Sequence, residues 1–162
     1  MRVVIIIPTY NEAENAPKMI ETLANILPRI KDHDMQVLYV DDSSPDGTAD
    51  VVRGYQNKYK WLHLLVNPEK TGLGAAYSKA MPYAMKELQA DYFMEMDNDF
   101  QHPPQDIPRL MAEINNGYDF IVGSRYVTGG SIPDSWGFDR KFLSVIGNLV
   151  ARMVGTHGAN HV

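Results

Sequence analysis

The chain has 162 residues, 44% hydrophobic and 22% charged, which suffices for one domain with a real core and excludes a disordered chain. A net charge of −5 argues against nucleic acid as a partner held by overall positive charge. The lack of cysteine excludes a disulfide framework and a zinc–thiolate centre, and it fits a reducing compartment.

Residues 3–7 are a β-branched run that predicts a fully buried strand. The run is too short for a signal peptide or a transmembrane helix, and no window approaches 18 uninterrupted apolar residues. Pro8-Thr9-Tyr10-Asn11-Glu12 breaks it, where a dinucleotide-binding fold would carry a glycine-rich turn. Tyr10 can stack on a base and Glu12 can bond its edge; a helix cap with an acidic first turn is the plainer alternative. Ile20, Leu23, Ile26 and Leu27 mark a helix over 12–27, closed by Pro28. Residues 36–40 predict a second buried strand that stops at Asp41-Asp42-Ser43-Ser44. An acid there accepts hydrogen bonds from a ribose or base, or caps the next turn. Both readings stand for Asp41, and the ligand reading is preferred for Asp42.

Ser44-Pro45-Asp46-Gly47 is turn chemistry, with Asp46 or Thr48 capping a helix that runs to about residue 59. A strand over 61–66, a loop over 67–74 and a helix over 75–88 follow, with a kink expected at Pro82. Gly72-Leu73-Gly74-Ala75-Ala76-Tyr77 approaches the dinucleotide fingerprint of a dehydrogenase. Tyr77 stands where glycine or alanine is needed, and residues 68–71 separate the strand from Gly72. The segment is read instead as a helix N-terminus facing an anion, with Lys70 nearby.

A fourth strand over 92–96 drives into Asp97-Asn98-Asp99-Phe100-Gln101-His102-Pro103-Pro104. Carboxylates at i and i+2 beyond a strand can converge on a hard cation, Mg²⁺ or Mn²⁺, which can also hold a diphosphate. A lone acidic pair is common in solvated loops; the place after a buried strand is what favours a metal. Such an ion prefers oxygen, so Gln101 is a better third ligand than His102. A helix over 104–116 carries Ile107, Leu110, Met111 and Ile114, and Asn116-Gly117 ends it before a fifth strand over 118–122. After Gly123-Ser124-Arg125 comes a flexible loop. A helix over 139–154 then carries the stripe Phe142, Leu143, Ile146, Leu149, Val150 and Met153. That stripe either packs on the domain or lies at a bilayer surface.

The alternation predicts an α/β fold, a Rossmann-like and mostly parallel sheet sandwiched by helices. It reads as one domain, with a core over 1–123 and an arm over 124–162. Ligands of such sheets sit beyond the carboxyl ends of the strands, where residues 10–12, 41–44 and 97–101 all fall. Charge is distributed to match. Residues 91–119 carry seven acidic side chains against Arg109 alone, whereas the chain from Ser124 onward carries Arg125, Arg140, Lys141 and Arg152 against two acids. Arginine suits bidentate phosphate binding, and Arg125 directly follows a predicted strand end.

The chain resembles family 2 glycosyltransferases of the GT-A fold, and among them the polyprenyl (dolichyl) phosphate mannosyltransferases. The resemblance lies in Ile7-Pro8-Thr9-Tyr10-Asn11-Glu12, in Val40-Asp41-Asp42-Ser43-Ser44-Pro45-Asp46-Gly47-Thr48, and in Gly72-Leu73-Gly74-Ala75-Ala76-Tyr77. It continues in residues 96–104, in Gly123-Ser124-Arg125-Tyr126, and in Trp136, Arg140, Ser144 and Asn148. It implies that Pro8, Tyr10, Glu12, Val40 and Asp42 hold the nucleoside. Asp97, Asn98, Asp99 and Gln101 would hold donor and cation, with Asp99 and Gln101 as direct ligands. Arg125 and Arg140 would grip the donor diphosphate or the acceptor phosphate. The implied donor is GDP-mannose and the implied acceptor a membrane lipid phosphate, which places the protein in the cytoplasm at the membrane face. Two other readings stand beside it, a UDP-glucose-dependent glucosyltransferase and a nucleotide-sugar-binding fragment without turnover. Family members continue with a further Asp-x-Thr and Phe-Arg segment that has no match in residues 155–162, so the acceptor half is expected to be truncated.

Overall fold

The structure, a computed structural model, describes residues 1–124 and 137–155, without the side chains of 140 and 148–155. The chain forms two compact units, Met1–Met111 and Ala112–Val162.

The first unit is built on four strands, β1 (Arg2–Thr9), β2 (Asp34–Asp41), β3 (Leu62–Val66) and β4 (Tyr92–Glu95). They stand in the order β3-β2-β1-β4 and every pairing is parallel. β1 is central: it pairs with β2 from Arg2↔Asp34 to Thr9↔Asp41, and with β4 from Val3↔Tyr92 to Ile6↔Glu95. A strand with neighbours on both sides and helices over both faces has no wet face. Val3, Val4, Ile5, Ile6 and Ile7 are accordingly all buried, and the sequence there shows no alternation.

The connections fix which helix lies where. From β1 to β2 to β3 the chain steps in one direction through α1 (Asn15–Ile26) and α2 (Thr48–Gln56). From β3 it returns through α3 (Leu73–Lys86) to β4, beyond β1. Right-handed crossovers then put α1 and α2 on one face and α3 on the other, and the reversal opens a crevice at the carboxyl ends of β1 and β4. α3 buries Ala76, Ala80 and Ala84 against Val4, Ile6, Leu38 and Val40 of β1 and β2. Alanine at every fourth position lets the helix backbone approach the sheet closely. Burying each of those four larger side chains is worth about 1.5–3 kcal/mol. α3 is continuous through Pro82, whose missing N–H leaves the Ser78 carbonyl without its intrahelical donor. α1 buries Ala16, Met19, Ile20, Leu23 and Ile26 at helical spacing, and gives way at Pro28 to a 3₁₀ turn.

A 3₁₀ turn over Pro104–Asp106 leads into α4 (Ile107–Asn115), whose Ile107, Met111 and Ile114 are buried as expected. Gly117, at φ 86°, ends that helix and donates its N–H to the Ile114 carbonyl at 3.1 Å. The expected fifth strand does not form. Among the described residues 118–122 pair with no strand, and Phe120 is 85% exposed. An apolar run becomes a strand only when a neighbouring ladder takes up its N–H and C=O groups. α5 (Phe138–Gly155) forms where the period placed it. Phe138, Phe142, Leu143, Val145 and Ile146 on it are exposed, with the rings of Phe138 and Phe142 stacked at 6.2 Å.

Candidate functional site

Three loops leave the carboxyl ends of β1, β2 and β4, and each turns through a non-glycine residue with left-handed backbone: Asn11 (φ 59°), Ser43 (φ 55°) and Phe100 (φ 62°). Such residues cost of order 1–3 kcal/mol apiece and persist where surrounding bonds over-determine them. Those bonds are present. Three successive amides of the β1 loop donate to side chains of the β2 loop: Asn11 N–H to Ser44 Oγ (3.0 Å), Glu12 N–H to Thr48 Oγ1 (2.9 Å) and Ala13 N–H to Asp46 Oδ2 (3.0 Å). Asp46 Oδ1 also accepts from the Thr48 amide and hydroxyl. Burial would raise the Asp46 carboxyl, but these bonds outweigh it and hold the group below its ordinary range. The residues expected to cap α2 thus also lock the β1 loop. The N-cap position itself is Gly47, at φ 85°.

Asp41 and Asp42 divide their work. Asp41 accepts the Ser44 amide (2.9 Å) and hydroxyl (2.6 Å), which is the turn-capping reading. Asp42 is 5% exposed and reaches across to the loop after β3. It accepts from Asn67 Nδ2 (2.5 Å), Thr71 N–H (2.9 Å), Thr71 Oγ1 (3.3 Å) and Gly72 N–H (2.8 Å). Burial would raise its carboxyl; the bonds from Asn67, Thr71 and Gly72 prevail and lower it. Two amides just ahead of α3 thus face an anion within the protein, the Asp42 carboxylate.

The β4 loop shows why its acids are spaced by two. Asn98 is buried and turned inward: the Tyr39 hydroxyl donates to its Oδ1 at 2.9 Å, and its Nδ2 donates to Glu12 Oε2 at 3.3 Å. Asn15 Nδ2 donates to the same Glu12 oxygen at 2.9 Å. Burial, then the Glu12 charge, pushes the Tyr39 phenol up, so it stays a donor. With Asn98 inside, Asp97 is half-buried and Asp99 exposed. Asn98 thus braces the β4 loop against Tyr39 of β2 and Glu12 of the β1 loop. Asp99 Oδ1 accepts the Gln101 amide (2.9 Å), and the Asp97 amide donates to His102 Nδ1 (3.2 Å). His102 thus braces the loop from within.

Beside these loops lies an open cleft of about 190 Å³, lined by Pro8, Thr9, Tyr10, Val40, Asp42, Lys70, Gly72, Leu73 and Ala76. It gathers five of the residues singled out in the sequence: Pro8, Tyr10, Val40, Asp42 and Lys70. Lys70 Nζ sits 3.5 Å from the centroid of the Tyr10 ring. Glu12, Asp97, Asn98, Asp99 and Gln101 do not line this cleft; the Glu12–Asn98 bond joins the β1 and β4 loops that carry them. Arg125 lies outside the described residues, and Arg140 is described only as backbone of α5. Sequence reasoning missed Tyr39, whose buried hydroxyl needed a partner, and the bonding of Asn67 and Thr71 to Asp42. The first had a signal, a tyrosine inside an otherwise apolar strand. The second had none, because the loop after β3 meets β2 only in three dimensions.

Asp97, Asp99 and the amide oxygen of Gln101 are hard oxygen donors of the type Mg²⁺ and Mn²⁺ take. Among the described residues no three His, Cys, Asp or Glu side chains gather into a metal cage. The set fits an ion that completes its shell with phosphate oxygens and water, as Mg²⁺ does beside substrate phosphates.

Residues 4–157 match the model of the family described as glycosyl transferase family 2. A Pyrococcus furiosus dolichol-phosphate mannosyltransferase is 37% identical over 94% of this chain and 41% of its own length. A Micrococcus luteus undecaprenyl-phosphate mannosyltransferase is 38% identical over 95% of this chain and 60% of its own. A polyprenol monophosphomannose synthase of Mycolicibacterium smegmatis is 34% identical over 96% and 58%. The chain thus spans roughly half the length of the curated relatives it matches. Among solved structures, a Pyrobaculum calidifontis mannosyltransferase in complex with GDP-Man and Mn²⁺ superposes with a TM-score of 0.52 at 30% identity, over 68% of this chain and 31% of its own. S. aureus TarS, residues 1–349, gives 0.51 at 25% identity, over 70% and 33%.

Proposed function

The chain belongs to glycosyl transferase family 2, and from that membership we propose that it supplies the donor side of a mannosyl transfer from GDP-mannose to a polyprenyl (dolichyl) phosphate. The observation that carries the reading is the D-x-D loop, where the middle residue is locked inward by Tyr39 and Glu12, which leaves Asp99 exposed and Asp97 half-buried on the loop that the Glu12–Asn98 bond ties to the β1 loop. The relatives' names, and the donor and ion bound in the Pyrobaculum structure, support the choice of sugar, nucleotide and cation.

In this reading Pro8, Tyr10 and Val40 enclose the nucleoside, with Tyr10 stacking on the base. Asp42 shapes the wall, and Glu12 fixes the β1 loop beside it. Asp97, Asp99 and Gln101 hold Mg²⁺ or Mn²⁺. When bound, that ion neutralises the diphosphate and eases its departure. The acceptor phosphate oxygen is already anionic at neutral pH, so the site needs no strong base. It must hold two anions in line with the sugar carbon, for displacement with inversion. Arg125 and Arg140 are proposed to bind one or both phosphates. No helix among the described residues is long and apolar enough to cross a membrane. An acceptor with a lipid tail would set the reaction at a bilayer surface, which we propose to be the cytoplasmic face.

Calorimetry with GDP-mannose and with UDP-glucose, with and without Mn²⁺, tests the donor. Mn²⁺-dependent binding of GDP-mannose is expected, tighter UDP-glucose binding would shift the reading to a glucosyltransferase, and no binding of either would end it. Transfer of radiolabelled mannose to a polyprenyl phosphate separates enzyme from binder.

A further inference from the structure

The aromatic wall of the cleft is already covered. Lys70 Nζ lies 3.5 Å from the Tyr10 ring centroid, well within cation–π range. Both residues line the cleft, so the covered ring belongs to the surface a nucleobase would use. The lysine is also placed to stay there. On its C-terminal side Asp42 holds the amides of Thr71 and Gly72, and on its N-terminal side it holds the Asn67 side chain. The Ser43 hydroxyl donates to the Asn67 carbonyl at 2.6 Å as well. The backbone at 70 is thereby pinned on both sides, and what can move is the four-carbon stem with its charge.

We propose that Lys70 is an exchange residue of the nucleotide site. In the free protein its ammonium lies over one face of the Tyr10 ring and occupies it. An incoming base takes that face, and the displaced ammonium swings on its stem to the diphosphate of the same ligand. The residue therefore opposes binding of the uncharged nucleoside and favours binding of the nucleoside diphosphate, which makes it a selector for phosphorylated ligands. This rests on the nucleotide-sugar reading of the cleft.

Removing the lysine should move two affinities in opposite directions. An exposed cation–π contact is worth about a two- to five-fold change in an equilibrium constant. Lys70→Ala is expected to bind guanosine about two- to five-fold more tightly than the wild type, and GDP more weakly, by calorimetry at fixed salt. In the free wild-type protein, proton NMR should find the Lys70 side-chain methylenes shifted upfield by the Tyr10 ring, and saturating guanosine should abolish the shift. Guanosine affinity that is unchanged or lowered in Lys70→Ala, or an upfield shift that survives saturation with guanosine, overturns the proposal while leaving the nucleotide reading standing. If neither protein binds any nucleoside or nucleotide, the reading of the cleft falls and the proposal with it.

Discussion

Asp42 shows what one residue carries. Its carboxylate is the hub on which the loop after β3 is hung, through Asn67, Thr71 and Gly72. Its folded-state pKa is lowered, so the stability it contributes is complete above the unfolded value of about 4 and fades as pH falls through the lower folded value. Asp42→Asn keeps the shape but turns an amide NH₂ toward donors, leaving at least one unpaired. A loss of about 1–3 kcal/mol is expected from urea unfolding at pH 7, and the gap from wild type should narrow below pH 4. The acid itself was legible in the sequence, as a carboxylate at a strand end. Its partners were not, since Thr71 and Gly72 lie 29 and 30 residues away. Asn98 teaches the same lesson in reverse. A polar residue between two acids reads as a ligand from the sequence; in the fold the buried Tyr39 hydroxyl also takes this one as its partner.

Strands β1 and β2 and helix α5 were readable because burial on both faces, or an amphipathic period, leaves a direct mark in the sequence. The run over 118–122 carried the same mark and formed no strand, because pairing is a property of neighbours rather than of composition. α3 is the element where packing leaves least room. Ala80 is fully buried within the cluster formed by Val4, Ile6, Leu38 and Val40. Ala80→Leu has no space to enter, and urea unfolding should show a loss of about 1–3 kcal/mol with an unchanged m-value. The loop that holds Lys70 lies directly before this helix. Weakened binding of GDP-mannose by Ala80→Leu, beyond what its unfolded fraction explains, would show that the seat of α3 also sets the cleft.

For the molecule as a whole, the balance of charge shapes the chemistry. A chain of net charge −5 that concentrates acids around its β4 loop would repel the proposed anionic donor, and a divalent cation would make the two compatible. Asp99 is exposed and accepts a local bond from the Gln101 amide. Asp99→Ala is expected to leave the unfolding midpoint within about 0.5 kcal/mol of wild type and to abolish the Mn²⁺-dependent part of GDP-mannose binding. Undiminished Mn²⁺ dependence in the variant would remove Asp99 from the metal site. The parallel α/β class followed from the alternation of strands and helices. The order β3-β2-β1-β4, which sets the crevice between β1 and β4, came only from the pairing.

The three amides of the β1 loop that rest on Ser44, Asp46 and Thr48 bear on redesign. The two loops form a single module of variation, although 30 residues part them. A nucleoside loop grafted from another protein onto β1 alone would arrive without its acceptors, and one grafted onto β2 alone would leave its acceptors without donors. If the cleft takes a base as proposed, altering that base means exchanging both segments together.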